Sequence, residues 1–205
     1  KQLIENEIEV LQSRRLMDSV VYNQHLYASV QEKGRFNRMS AYNSSPVMII
    51  AQDPDALKEV KDIPISFDAA RKKITINNSN SYNLNEFVKT PYAVLKFIPN
   101  PYIEVKSEGD LSFSIANPRT TTSAILKNLE VTTASKLSTI IELRLLDEVP
   151  VKAENVLNGL INQYDLAGLK TKSDLAKNTL GFVEDRLATV GKQMDSIQRS
   201  VQQYK

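Results

Sequence analysis

The chain has 205 residues, 41% of them apolar, with 26 basic against 24 acidic residues and a net charge of +2. That length supports one domain, or one domain with an insertion, and the near-balanced charge gives no broad field for nucleic acid or anionic lipid. The absence of Cys excludes disulfides and thiolate metal sites, and a single histidine, His25, excludes a multi-His metal site.

No run of eighteen apolar residues exists, so no segment of this sequence reads as a membrane span. KQLIENEIEVLQS lacks the continuous apolar stretch of a signal peptide. The missing initiator Met leads us to expect that the natural N-terminus lies elsewhere and that an anchor has been left out with it. Residues 3–22 read as a helix, with Ile4, Ile8, Leu11, Leu16 and Val20 at roughly helical spacing. His25 falls near its end and reads as a partly exposed surface residue. Any Ser-His-Asp triad would have to use it.

The composition changes at Gly34. Residues 46–117 are rich in Pro, Asn and β-formers, and read as a small antiparallel sheet. Its candidate strands are 45–50, 73–76, 92–98, 102–106 and 111–116. A turn-rich run, 77–81, follows the second. In the last strand Leu111, Phe113 and Ile115 alternate with Ser112 and Ser114, the pattern of a sheet with one wet face. Thr120, Thr121, Thr122 and Ser123 offer a cap for a short helix over 124–129, and 131–133 reads as a brief strand. Residues 138–147 carry the strongest strand signal. There Ile141, Leu143 and Leu145 alternate with Glu142 and Arg144, and the flanking Ile140 and Leu146 suggest cover on the second face.

Pro150 suits a first helical position, where its missing N–H is unneeded. Val156, Leu157, Leu160, Ile161 and Tyr164 give the following helix a broad apolar face. It is expected to run on, bent or loosened near Gly168, into a heptad seam. From Ala176 the seam steps by four and three through Leu180, Val183, Leu187, Val190, Met194, Ile197, Val201 and Tyr204. A helix over 150–205 would span about 80 Å, so its excess length is expected to project from the α/β part. The seam stops at Lys205 without a capping residue, as if cut from a larger assembly. Residues 3–22 could cover only part of it.

Chemistry is sparse. No GxxxxGK[ST] or GxGxxG occurs. Asp53, Asp55 and Asp62 do not match a calcium loop and read as turn residues. The densest basic cluster, Arg71, Lys72 and Lys73, could touch an anionic glycan or another subunit, or simply protect a sheet edge. Arg14 and Arg15 could pair with acids on the long helix or on a neighbour. Tyr82, Phe87, Tyr92 and Tyr102 could form a sugar-stacking platform or part of a β core.

The runs EIEVLQSRRLMDSVVYNQHL and LSTIIELRLLDEVPVKAENVLNGLINQY, the latter at 137–164, carry a family resemblance. The chain resembles the extracytoplasmic domain of polysaccharide co-polymerases of the Wzz/Wzc type. In that family a strand is followed by an acidic residue, a Pro, an Ala and an Asn-containing apolar helix ending in Tyr. Here those places are Asp147, Pro150, Ala153, Asn158 and Tyr164. AILKNLEV and the charged heptad helix fit as well, and KGRFNRMSAYNSSPVMI at 33–49 is similar to the Bacteroidetes branch. The resemblance covers about 1–50 and 115–205.

It implies an α+β fold: a Wzz-like α/β domain with a mixed sheet over 1–45 and 114–165, an inserted small antiparallel β region over 46–113, and an extended coiled-coil-forming helix over 166–205. It implies a periplasmic, non-catalytic assembly domain of an inner-membrane protein. Such a domain would form homo-oligomeric rings and govern chain length or export of capsule, exopolysaccharide or O-antigen. Its partners would be a returning helix, two transmembrane helices and the polymerase or export machinery, with no nucleic acid and no cofactor. A cytoplasmic tyrosine autokinase often follows, and none of its nucleotide-binding residues would fall here. An exported carbohydrate-binding module and a membrane-fusion adaptor of a secretion or efflux pump remain the alternatives. The first predicts a groove with at least two of the four aromatics exposed. The second predicts a lipoyl-like or barrel sandwich beside the helix.

Overall fold

The computed structural model describes residues 2–34, 37–107, 109–135 and 138–203. Among these residues the fold is α+β, with four helices and three sheets. The chain divides into two units, Lys1–Gln163 and Tyr164–Lys205.

The N-terminal apolar periodicity is split between two helices, α1 (Gln2–Leu11) and α2 (Arg14–Asn23). Ser13 causes the break. Its backbone is extended (φ −66°, ψ 138°) and its hydroxyl accepts the Leu16 N–H, so it caps α2. Helix α2 buries Leu16, Met17, Val20 and Val21. It ends at Gln24, and His25 turns the chain with a φ of 55°.

Eleven strands follow in the order β1 (Ala28–Lys33), β2 (Arg38–Ser40), β3 (Val47–Ala51), β4 (Val60–Asp68), β5 (Lys73–Ile76), β6 (Asn80–Asn83), β7 (Phe87–Lys89), β8 (Val94–Pro99), β9 (Leu111–Ile115), β10 (Leu129–Thr133) and β11 (Ile141–Leu145). Helix α3 (Pro118–Lys127) lies between β9 and β10, and α4 (Pro150–Gln203) follows β11. The large sheet has the order β2-β1-β9-β4-β5-β6, the second β3-β8-β7, and the third β10-β11. Every strand pairing among the described residues is antiparallel. The expected mixed sheet is therefore corrected. Parallel neighbours need a crossover connection, usually a helix, and α3 joins strands of two different sheets.

The middle block is divided: β3, β8 and β7 form a sheet of their own, while its remaining strands join a sheet that begins outside it. β9 pairs with β1 on one side and β4 on the other, so strands from 60–83 extend a sheet begun at residues 28–40. The alternation of β9 explains the insertion. Phe113 and Ile115 join the core with Val30, Ile65, Ile74 and Ile76, while Ser112 and Ser114 lie opposite Gln31 and Ser29 on the other face. The second sheet adds Ile49, Leu95 and Phe97 to the buried set, and the buried Tyr27 hydroxyl accepts the Ala51 N–H at 3.2 Å. Asn77 and Asn78, both at positive φ, turn β5 into β6, so Asn80 and Ser81 belong to a strand and not to the turn. Residues 102–106 form no strand.

Asn117, ahead of the Thr cluster, caps α3 by accepting the Arg119 N–H at 2.9 Å. Beyond it, β10 and β11 make a two-stranded ribbon. Its second face is open: Ile140 is 65% and Leu146 77% exposed. Pro150 opens α4, which buries Val156 and Leu160, and the helix continues unbroken through Gly168.

Candidate assembly surface

Within Tyr164–Lys205, Leu180, Val183, Leu187, Val190 and Met194 all lie exposed along α4. Their three-and-four spacing on one continuous helix puts them on a single face. Ile197 and Val201 fall within the helix span, but their side chains, like the whole of Tyr204, lie outside the described residues. Leu166 and Leu169, also exposed, carry the same spacing back through Ser173 and Ala176. Leu175 and Phe182, seven residues apart, add an exposed flank. Burying one such Leu or Phe is worth about 1.5–3 kcal/mol. A stripe of this length is therefore a surface suited to an apolar helix.

The strand–Pro–helix motif is built around Asp147. One carboxylate oxygen accepts the Val149 N–H at 3.0 Å, and the other holds the Lys152 ammonium at 2.7 Å. Both partners are largely buried, and the pair fixes the entry into α4 just ahead of Pro150. Ala153 is half-buried and donates its N–H to the Val149 carbonyl at 3.1 Å, whereas Asn158 is exposed. Tyr164, half-buried, belongs to the second unit.

A second polar node holds the same helix start. The Asn155 side chain donates to the Tyr42 hydroxyl at 3.1 Å, and Tyr42 stacks on Tyr102 with centroids 5.1 Å apart. Burial pushes the Tyr42 phenol up to about 12, against the opposing pull of the Asn155 bond. A small cavity of about 70 Å³ beside this node is lined by Gln24, His25, Tyr42 and Lys152. The imidazole Nδ1 of His25 sits 3.1 Å from the Tyr27 hydroxyl, and burial holds its pKa below 6.5.

The remaining candidates are dispersed. Arg71 and Lys72 lie in the exposed turn between β4 and β5 and Lys73 opens β5; Arg71 meets Asp68 at 3.7 Å and Lys72 takes a φ of 51°. Asp53 accepts the N–H groups of Asp55 and Ala56, Asp55 accepts the Tyr22 hydroxyl, and Asp62 pairs with Arg38 at 3.0 Å. The bond to Asp55, and then burial, push Tyr22 up to about 12. Each carboxylate thus has its own task, and no group of metal-ligating side chains gathers among the described residues. Arg14 reaches α3 rather than the long helix. It donates to the Arg119 carbonyl at 3.4 Å and the Ser123 hydroxyl at 2.9 Å, tying α2 to α3.

The four aromatics do not converge. Phe87, half exposed, lies under the Lys96 ammonium at 5.6 Å from its centroid. Tyr92 packs edge-on against Phe113 and accepts a hydrogen bond from Asn77. Tyr102 is taken up by Tyr42, and Tyr82 is half-buried in β6. Only Phe87 offers an open ring. No helix among the described residues is long and apolar enough to cross a membrane. No protein-family model matches the chain, and a search of curated proteins gives no match.

Proposed function

We propose that this chain is the periplasmic, non-catalytic assembly domain of a polysaccharide co-polymerase of the Wzz/Wzc type, acting on the chain length or export of a capsule or exopolysaccharide. The observation that carries the reading is the pairing of two features on α4. Its start is the Asp147–Pro150–Ala153–Asn158 motif, clamped by Lys152. Its far portion is an apolar stripe left open at Leu180, Val183, Leu187, Val190 and Met194. The first gives the resemblance its register. The second supplies what an assembly domain requires, a surface completed by other helices. In this reading those helices are the returning segment and neighbouring subunits, held close by membrane anchors outside these residues. Confinement to a membrane raises the effective concentration, so modest contacts suffice for a ring. The reading needs no cofactor and uses none of the scattered carboxylates.

These 205 residues contain no Cys, and the unsubstituted full-length protein serves as the control for thiols elsewhere. The full-length membrane protein carrying Leu187→Cys is oxidised in membranes and examined for covalent dimers. In parallel, Val183→Glu with Leu187→Glu is expressed in cells lacking the native gene. The reading expects cross-linked subunits from the first and an altered polymer length distribution from the second. A full-length protein that stays monomeric at micromolar concentration while sustaining normal polymer export would overturn it.

A further inference from the structure

A separate feature lies on the outer face of the large sheet. Ser29 and Gln31 sit two apart on β1 and share its outer face, and Ser40 on β2 lies directly opposite Gln31. The end of α3 brings Asn128 to this corner, and the entry to α4 brings Leu146 and Glu148. Together they line an open cleft of about 610 Å³, within the size range of small-molecule sites.

The chemistry of the lining is specific. The side chains of Ser29, Gln31, Ser40, Asn128 and Glu148 make no intramolecular hydrogen bond among the described residues. Around them the charged groups are already matched, Arg38 to Asp62 at 3.0 Å and Lys152 to Asp147 at 2.7 Å. Leu146, 77% exposed, gives one wall an apolar surface. The cleft therefore offers hydroxyls, planar amides and one unmatched carboxylate, Glu148, a lining that can donate and accept hydrogen bonds and that disfavours an anion. Such a lining suits a ligand that presents neutral hydroxyls together with an apolar face.

We propose that this cleft binds an uncharged oligosaccharide. Gln31, Asn128 and Glu148 take up ring hydroxyls, and Leu146 covers a C–H face of the sugar. The site is distinct from the four aromatics considered from the sequence, and it does not depend on whether the chain assembles through α4.

The test uses the 205-residue chain, isotope-labelled and titrated with maltohexaose, cellohexaose and laminarihexaose up to about 10 mM, a range that captures millimolar dissociation constants. At least one of them is expected to shift the amide signals of Gln31, Ser40, Asn128 and Leu146. Gln31→Ala and Asn128→Ala are each expected to weaken that binding at least about fivefold, the equivalent of one lost hydrogen bond. Since neither side chain bonds within the protein, both variants should keep the parental thermal midpoint, and Leu146→Asp gives a third, independent reading of the apolar wall. The proposal is overturned if none of the three sugars shifts these signals. It is equally overturned if the shifts centre on Phe87, if the variants bind as well as the parent, or if only an acidic oligosaccharide such as hexagalacturonate binds. These outcomes are independent of subunit cross-linking at Leu187, so failure of one reading is distinguishable from failure of the other.

Discussion

The Gln24 side-chain amide donates to the main-chain carbonyl of Asn155 at 2.7 Å, tying the residue that ends α2 to the first turns of α4. Gly159 makes that approach possible. A methyl group there would collide with Gln24 Nε2 and press on Val20 Cγ1 at 3.2 Å. Replacing a helical Gly by Ala gains about 1 kcal/mol from propensity. At this site the gain is offset by a lost hydrogen bond and a stranded buried amide, together about 2–3 kcal/mol. Gly159→Ala is therefore expected to lower stability by about 1–2 kcal/mol in urea unfolding, with the midpoint moving down. Gly181→Ala and Gly191→Ala have open space around the new methyl and should do the reverse, raising the helical circular-dichroism signal. A stabilising Gly159→Ala would show that the Gln24–Asn155 bond contributes little.

The start of α4 was legible because two independent signals coincide there, an acidic residue beside a Pro and an apolar face beginning at Val156. Strand β9 was equally plain from Leu111, Phe113 and Ile115, but its second face is not wet: Ser112 is buried, with Arg38 donating to its hydroxyl, and Ser114 is half-buried. β1 was not. Its strand ASVQEK has only Ala28 and Val30 as apolar markers, too few to establish a period of two. Its partner β9 lies some eighty residues away, and local pattern carries no information on such pairing. The break at Ser13 was hidden for the opposite reason, since the apolar periodicity continues across it. The saccharide cleft was beyond reach in the sequence, because Gln31, Ser40, Asn128 and Glu148 come from four separate segments that only the tertiary fold brings together.

The contact between α2 and α3 rests on a buried hydroxyl. Thr122 donates to the Asp18 carboxylate at 2.6 Å. Thr122→Val keeps the shape but leaves that carboxylate without its donor. A hydrogen bond to a charged group contributes about 1.5–3 kcal/mol, so a loss near the low end is expected for a partly solvated acid. Thr122→Ser should restore most of it. A Thr122→Val midpoint equal to the parent's, with Thr122→Ser below it, would assign the contribution to methyl packing and not to the bond.

His25 gives the fold a pH dependence with a definite sign. Burial disfavours its charged form, so the folded-state pKa lies below 6.5 and the unfolded chain takes up the proton first. Stability from the neutral imidazole is full above 6.5 and falls as the pH drops through that value toward the folded-state pKa. His25→Asn tolerates the φ of 55° and does not titrate. The thermal midpoint of the parent should fall more steeply than that of the variant between about pH 7 and 5. Parallel curves would mean that the imidazole is as well solvated in the fold as in the unfolded chain.

Helix α4 carries two kinds of leucine, and their contrast tests the assembly surface without any partner. Leu160 is 0% exposed and packs within Lys1–Gln163, whereas Leu187 is 67% exposed. Truncating a buried Leu to Ala removes its transfer energy and leaves a cavity, together about 2–5 kcal/mol. Truncating an exposed one leaves the isolated chain within about 0.5 kcal/mol of the parent. Leu160→Ala should therefore lower the urea midpoint sharply in dilute protein, and Leu187→Ala should leave it in place. Under the proposed function the order of effects on assembly should reverse: Leu187→Ala weakens subunit cross-linking at a neighbouring seam position such as Val190→Cys, and the fold itself is unchanged. A large loss of monomer stability from Leu187→Ala would mean that the stripe is already covered by the chain's own residues, and the surface would no longer be available to a neighbour.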